Sequence, residues 1–241
     1  MKKIVVLSSL AIGFIVVCSC SISFSCKKGS GELKTENREV SSFHNINLKI
    51  GADVELVQSE NVTVFVIANE NLLQHIETRV NNNTLIIETA DCNCLDSDDP
   101  ITVKIGIPVI KGINVCGSGT VWAKDRIVTE NLGLNVSGSG DIIFDQVMLD
   151  NYSVDIAGSG NVQLKGSPSK SGDINISGSG DVDASKLATS AIAISIAGSG
   201  DVIVKPTAAL DVSIAGSGDV HYVGSPVVVK SILGSGEVIQ D

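Results

Sequence analysis

Ile192-Ala193-Ile194-Ser195-Ile196-Ala197-Gly198-Ser199-Gly200-Asp201-Val202-Ile203-Val204 is the stretch whose reading decides the fold. Aliphatic residues alternate with small or polar ones on both sides of a Gly-Ser-Gly-Asp bend. Alternation at period two marks strands with one buried face, and β-branched side chains favour that pleated setting. The glycines allow positive φ and close approach of another backbone. The aspartate is a residue type that hydrogen-bonds backbone at turns. The unit therefore reads as strand, corner, strand.

The same phrase recurs through the second half of the chain. Gly-Ser-Gly triplets begin at Gly117, Gly138, Gly158, Gly178, Gly198, Gly216 and Gly234, in steps of 21, 20, 20, 20, 18 and 18 residues. Two residues before each stand Val115, Val136, Ile156, Ile176, Ile196, Ile214 and Ile232; two residues after stand Val121, Ile142, Val162, Val182, Val202, Val220 and Val238. The residue directly after each triplet is Thr120, Asp141, Asn161, Asp181, Asp201, Asp219 or Glu237. A period near twenty is the signature of a solenoid, because one such unit cannot bury its own apolar face and must stack on copies of itself. Stacked rungs pair through backbone hydrogen bonds at ~4.8 Å per rung. The expected fold is all-β, a β-solenoid over residues 113–241. A right-handed parallel β-helix is the favoured form, although the 18-residue steps also suit three hexapeptide turns of a left-handed one.

Composition agrees with thin stacked layers. Hydrophobic residues make up 43% of the 241 positions and aromatic residues 3%, so the core is built from Val, Ile, Leu and Ala. The net charge of −10 argues against nucleic acid or anionic lipid headgroups as partners. His44, His75 and His221 are far apart in sequence and give no metal-ligand spacing.

The first residues read as an address. Lys2 and Lys3 precede an apolar run of 14 residues, Ile4 to Val17, too short for a membrane-spanning helix. It leads into Cys18-Ser19-Cys20. A bacterial lipoprotein signal places a small residue before the cysteine that receives the lipid, which fits Ser19 before Cys20. Cys26, after Ser25, is the second choice, and an ordinary cleaved signal is the plainer alternative. Residues 1–19 are thus expected to be a lipoprotein signal peptide and 20–37 a flexible tether.

Residues 38–112 are β-rich without a clean repeat. Gly51-Ala52-Asp53-Val54 resembles a worn corner, with Ala52 near the position of the triplet serine. Val62 to Ile67 and Thr84 to Thr89 are strand candidates, Asn81-Asn82-Asn83 a turn, and Glu70 to Ile76 a short helical turn or loop. The region is expected to be either a degenerate start of the solenoid or a layer capping it, since an open first rung needs cover. Asp91-Cys92-Asn93-Cys94-Leu95-Asp96-Ser97-Asp98-Asp99-Pro100 offers Asp91, Asp96, Asp98 and Asp99 as weak calcium ligands. It lacks the glycine and terminal glutamate of an EF-hand loop, and a solvated acidic loop is the preferred reading. Cys92 or Cys94 is a candidate to pair with Cys116 or Cys26 in an oxidising compartment. Cys116 holds the slot of Ser137, Ala157 and Ser177 in other units, so a small packing residue is the better reading there.

The Gly-Ser-Gly-Asp units, with Gly51-Ala52-Asp53-Val54-Glu55-Leu56 and Glu70-Asn71-Leu72-Leu73 before them, resemble the family called putative auto-transporter adhesin, head GIN domain. The resemblance spans about residues 38 to 241. It implies a pectin-lyase-like β-helix in a secreted or surface protein of Bacteroidetes-type bacteria, with adhesion as the expected role. It supplies no catalytic residues.

The residues themselves offer none either. The acids Asp141, Asp181, Asp201, Asp219 and Glu237 form a column that invites calcium, but Asn161 and Thr120 break it, and capping of backbone amides is the favoured role. Lys165, Lys186, Lys205 and Lys230 are spread over the units without the acids and arginine that polysaccharide cleavage needs. Gly-Ser-Gly repeated seven times is a corner and not a nucleophile elbow. His221 stands alone. The expected protein is a lipid-anchored outer-membrane component of the cell envelope, a non-enzymatic scaffold for binding or adhesion, with a glycan or an envelope protein as partner and no cofactor beyond a possible Ca2+. The alternatives are a carbohydrate-active lyase or hydrolase on a β-helix, and a structural protein-interaction module.

Overall fold

A computed structural model describes residues 26–90 and 94–241. Alternating aliphatics produce most of the strands. The irregular first half holds β1 (Lys27–Lys28), β2 (Leu33–Asn37), β3 (Asn45–Leu48), β4 (Asp53–Gln58), β5 (Thr63–Asn69), the helical turn α1 (Glu70–Leu73), β6 (Ile76–Asn81), β7 (Thr84–Thr89), β8 (Leu95–Asp96) and β9 (Thr102–Ile107). The repeats hold β10 (Gly112–Val115), β11 (Thr120–Ala123), β12 (Ile127–Val128), β13 (Asn131–Gly138), β14 (Asp141–Met148), β15 (Asn151–Gly158), β16 (Val162–Gly166) and β17 (Ser169–Gly178). The last rungs are β18 (Val182–Gly198), β19 (Val202–Gly216), β20 (Val220–Tyr222), β21 (Val227–Gly234) and β22 (Val238–Gln240).

Each Gly-Ser-Gly corner joins two parallel columns. In front of the corner, β13, β15, β17 and the later halves of β18 and β19 pair in parallel, ending at β21. Behind it, β11, β14, β16, the opening halves of β18 and β19, then β20 and β22 do the same. The seven corners enclose about 6 turns of a β-solenoid. Register is maintained rung by rung: Ile156 lies opposite Ile176, Ile176 opposite Ile196, and Ile196 opposite Ile214. Ile192, Ile194, Ile196, Val202 and Val204 all point inward and are buried, as their parity requires. Within the repeats, polar groups enter the interior around Thr189. Tyr152 is buried and reaches Thr189, which also bonds Ser169 at 2.8 Å. Its ring occupies the space above Gly172, where a Cβ would lie 2.3 Å from the ring carbon Cζ.

The first half is both a degenerate rung and a cap. β3 and β4 form a true rung, since Val115 lies opposite Leu48 and Thr120 opposite Asp53. That register places Gly51 at the serine position of the triplet and Ala52 at its second glycine, one residue from the alignment read in the sequence. Ala52 is tolerated because the rung below has no tight corner: β7 and β9 are joined by the long 90–101 segment. Chain order and spatial order part company here. The rung of β7 and β9 lies beneath that of β3 and β4, although it follows in sequence.

Beyond it the sheet turns antiparallel, with β9 pairing to β5, β5 to β2, and β7 to β6. Leu72 and Leu73 of α1 are buried among the core residues of this end. The cap thus leaves antiparallel edges where an open rung would otherwise face water. The Asn81–Asn83 turn is the hairpin between β6 and β7, with Asn82 and Asn83 at φ 46° and 64°.

The tether read over 20–37 is ordered from Cys26 onward. A disulfide joins Cys26 to Cys94, β1 pairs with β8, and β2 pairs with β5. The sequence hides this because a two-residue strand beside a disulfide has no periodicity.

Candidate binding surface

The corners build a straight ridge. The first glycine of six triplets, Gly138 to Gly234, has φ between +136° and +149°, and a Cβ there would fall 2.0–2.7 Å from the carbonyl oxygen of the glycine one rung below. The serine amide of each rung then donates to that same carbonyl, as Ser199 does to Gly178 at 2.8 Å. The serine side chains Ser139, Ser159, Ser179, Ser199, Ser217 and Ser235 remain exposed, one rung apart, along the ridge.

Beside the serines runs the column of acids, and its geometry shows what it does. Asp141 Oδ1 accepts from the Asn161 amide at 2.9 Å, Asn161 Oδ1 from Asp181 at 3.2 Å, and Asp181 Oδ1 from Asp201 at 2.8 Å. Asp201 and Asp219 continue the series to Asp219 and Glu237, each at 2.8 Å. The acids cap backbone amides, as their turn chemistry suggested, but each amide belongs to the next rung and not to the acid's own corner. One oxygen of each link is committed to the backbone. Asn161 fits because its carbonyl oxygen does the same work.

A shallow hollow of about 350 Å³ opens beside this column, lined by Asp141, Asn161, Gln163, Asp181 and Asp183 among others. Burial alone would raise the Asp183 pKa. The hydroxyl and amide of Ser185, the Gln163 amide and the Lys165 charge outweigh it and hold the carboxyl below its usual range.

The other predicted positions are scattered. Lys165 pairs with Asp145 at 2.8 Å, away from any nucleophile. His221 Nδ1 lies 3.0 Å from Asp241 Oδ1, and that bond raises its pKa. Cys116 is exposed on the outer face beside Asn114 and Asn47, so it is not the packing residue its slot suggested. Asp99 accepts from Asn69 and Asp96 lies in β8, while Asp91, Cys92 and Cys20 lie outside the described residues. Among the described residues no group of three or more His, Cys, Asp or Glu side chains is gathered as a metal would require. A hollow at the cap brings Arg38 and Arg79 near Glu39 and Glu77. Both guanidiniums are already engaged, Arg38 by Glu36 and the Leu73 carbonyl and Arg79 by Glu88. Among the described residues no helix is long and apolar enough to cross a membrane.

A glycine-cornered β-solenoid with a polar serine–acid ridge and a largely aliphatic interior defines a repeat protein. The chain belongs to the family described as putative auto-transporter adhesin, head GIN domain, whose model matches residues 42–226. Its structure is similar to that of a putative adhesin of Bacteroides fragilis, with TM-score 0.81 and 23% identity over 89% of this chain and 100% of the other. It is also similar to a protein of Parabacteroides distasonis described as a putative lipid binding protein, with TM-score 0.77 and 27% identity over 90% and 100%. A third, a putative adhesin of Parabacteroides merdae, gives TM-score 0.73 and 22% identity over 89% and 98%. No curated protein matches the sequence. The family's description is that of adhesins, which is an adhesion or binding role in general.

Proposed function

We propose that this chain is a non-enzymatic adhesin of the outer membrane, lipidated at Cys20, which stands on its capped end and offers its flat solenoid faces to a glycan. The observation that carries the reading is the disulfide of Cys26 with Cys94. It ties the chain just after Cys20 to the cap, and only residues 21–25 lie between. Such a spacer reaches at most roughly 20 Å. The disulfide also occupies the Cys26 sulfur, which favours Cys20 over Cys26 as the anchor residue. The serine and acid columns supply hydroxyl and carboxylate groups at a spacing of ~4.8 Å, suited to a repetitive polar ligand rather than a reacting centre. The anchor and the ligand are tested separately. Labelled palmitate is expected to mark the wild-type protein and to be lost from Cys20→Ser; label retained in that variant refutes the anchor. A glycan array with a turnover assay on each hit is expected to give binding without cleavage. Cleavage refutes the non-enzymatic reading, and an array without hits refutes the glycan.

A further inference from the structure

The last rung keeps Val228 and Ile232 on the inward parity but departs from the others at one inward position and three outward ones. On the inward parity, Ile113, Leu134, Val154, Ile174, Ile194 and Val212 are followed by Lys230. On the outward parity, Ala209, Asp211 and Ala215 are followed by Val227, Val229 and Leu233. These three side chains are 73%, 60% and 76% exposed, more than any other large hydrophobic residue described. An inward lysine bars another rung from stacking on β21, because its ammonium would be buried without a partner. The apolar residues therefore do not serve the end of the rod. They serve its outer face, where exposed apolar patches mark interaction surfaces.

The neighbouring relief indicates what they fit. The Val227 and Val229 ridge stands beside a trough of about 480 Å³ floored by Ala191, Ala193 and Ala209. A ridge next to a trough on one surface is self-complementary about a two-fold axis: each copy's valines enter the other's trough. Charge favours the same partner. The protein carries a net charge of −10, so copies repel over most of their surface. On this face the outward positions of β21 and of the two rungs before it carry a single charged side chain, Asp211, and Asp173 of β17 stands at the far side of the trough.

We propose that two copies of this chain pack face to face through Val227, Val229 and Leu233, forming an isologous dimer at the end of the rod remote from the cap. The dimer stands independently of the ligand proposed above.

The test is the mass of the full, detergent-extracted protein, corrected for micelle and measured as a function of concentration. The wild type is expected to have twice the mass of a single mature chain. Val229→Asp and Leu233→Asp are each expected to weaken association by about 100-fold or more, with far-UV circular dichroism and thermal midpoint unchanged. Asp211→Ser, which removes the charge next to Val229, is expected to strengthen it. A wild type that is monomeric at 100-fold dilution and at high concentration alike overturns the proposal, as does a dimer untouched by both aspartates. Cross-linking of residues 227–233 to a different envelope protein or to lipid, with no dimer, overturns it too.

Discussion

At the corner, Gly198 holds φ at +146° while a Cβ there would lie 2.0 Å from the Gly178 carbonyl oxygen. Both features forbid a side chain: the conformation strains any L residue, and the contact is with backbone that is itself fixed in the ladder. Gly117 begins an identical triplet, yet a Cβ there would meet nothing closer than 3.8 Å. The rung beneath it is the degenerate β3–β4 unit, whose Ile50 and Gly51 leave room. Gly198→Ala is therefore expected to cost roughly 2–4 kcal/mol and Gly117→Ala about 0.5 kcal/mol or less. Urea denaturation followed by circular dichroism checks the pair; equal midpoints would mean that the corners do not stack as described. The sequence displays seven equal triplets, and only the stacking distinguishes the first. The role of the acids was half legible in the same way. Turn chemistry points to amide capping, but whether Asp201 caps its own corner or the amide of Asp219 depends on a neighbour 18 residues away.

Among the elements, the cap is held by charge as well as by apolar contact. Glu88 of β7 lies 2.9 Å from Lys49, which follows β3, and 2.6 Å from Arg79 of β6. Hydrogen bonds from Lys49 and then Arg79 keep its carboxyl below the ordinary 4.5. A carboxyl depressed in the folded state stabilises the fold above its unfolded pKa, and that contribution is lost as pH falls through the folded one. Glu88→Gln is accordingly expected to be less stable than wild type at pH 7, with the difference closing as pH drops below 4.5. Urea midpoints of the two proteins between pH 7 and pH 3 measure this; a gap that persists at pH 3 would assign Glu88 a role other than its charge. The elements of this region were unequally legible. β5 and β7 show as aliphatic runs, and α1 falls in a stretch that reads as either a short helical turn or a loop. β6 carries a weaker signal, since Ile76, Thr78 and Val80 share one parity but are interleaved with Glu77 and Arg79. β1 and β2 had no signal, because their pairing is decided by a disulfide and by strands far along the chain.

As a whole, the molecule is nearly one-dimensional: each rung touches mainly the rungs above and below, so stability accrues from neighbour to neighbour. One rung is therefore dispensable. Deleting residues 199–216 joins Gly198 to Ser217, restores a Gly-Ser-Gly-Asp corner, and sets Val228 opposite Ile192 and Ile232 opposite Ile196, since each now faces Leu210 or Ile214 between them. The shortened chain is expected to fold with the same β spectrum and to lose about 5 Å of length in small-angle scattering. Collapse of the fold would show that the rungs are not equivalent. The sequence by itself determined the solenoid, the corner, the inward parity and the ladder of aliphatics, because these repeat locally and every unit imposes the same burial on its neighbour. Only the tertiary structure decided the order of the first rungs, the antiparallel cap, the Cys26–Cys94 link and the outward turn of the last apolar residues. Each of those is settled by contacts between segments whose sequences do not repeat, and a periodic pattern carries no information about which non-repeating segment closes its ends.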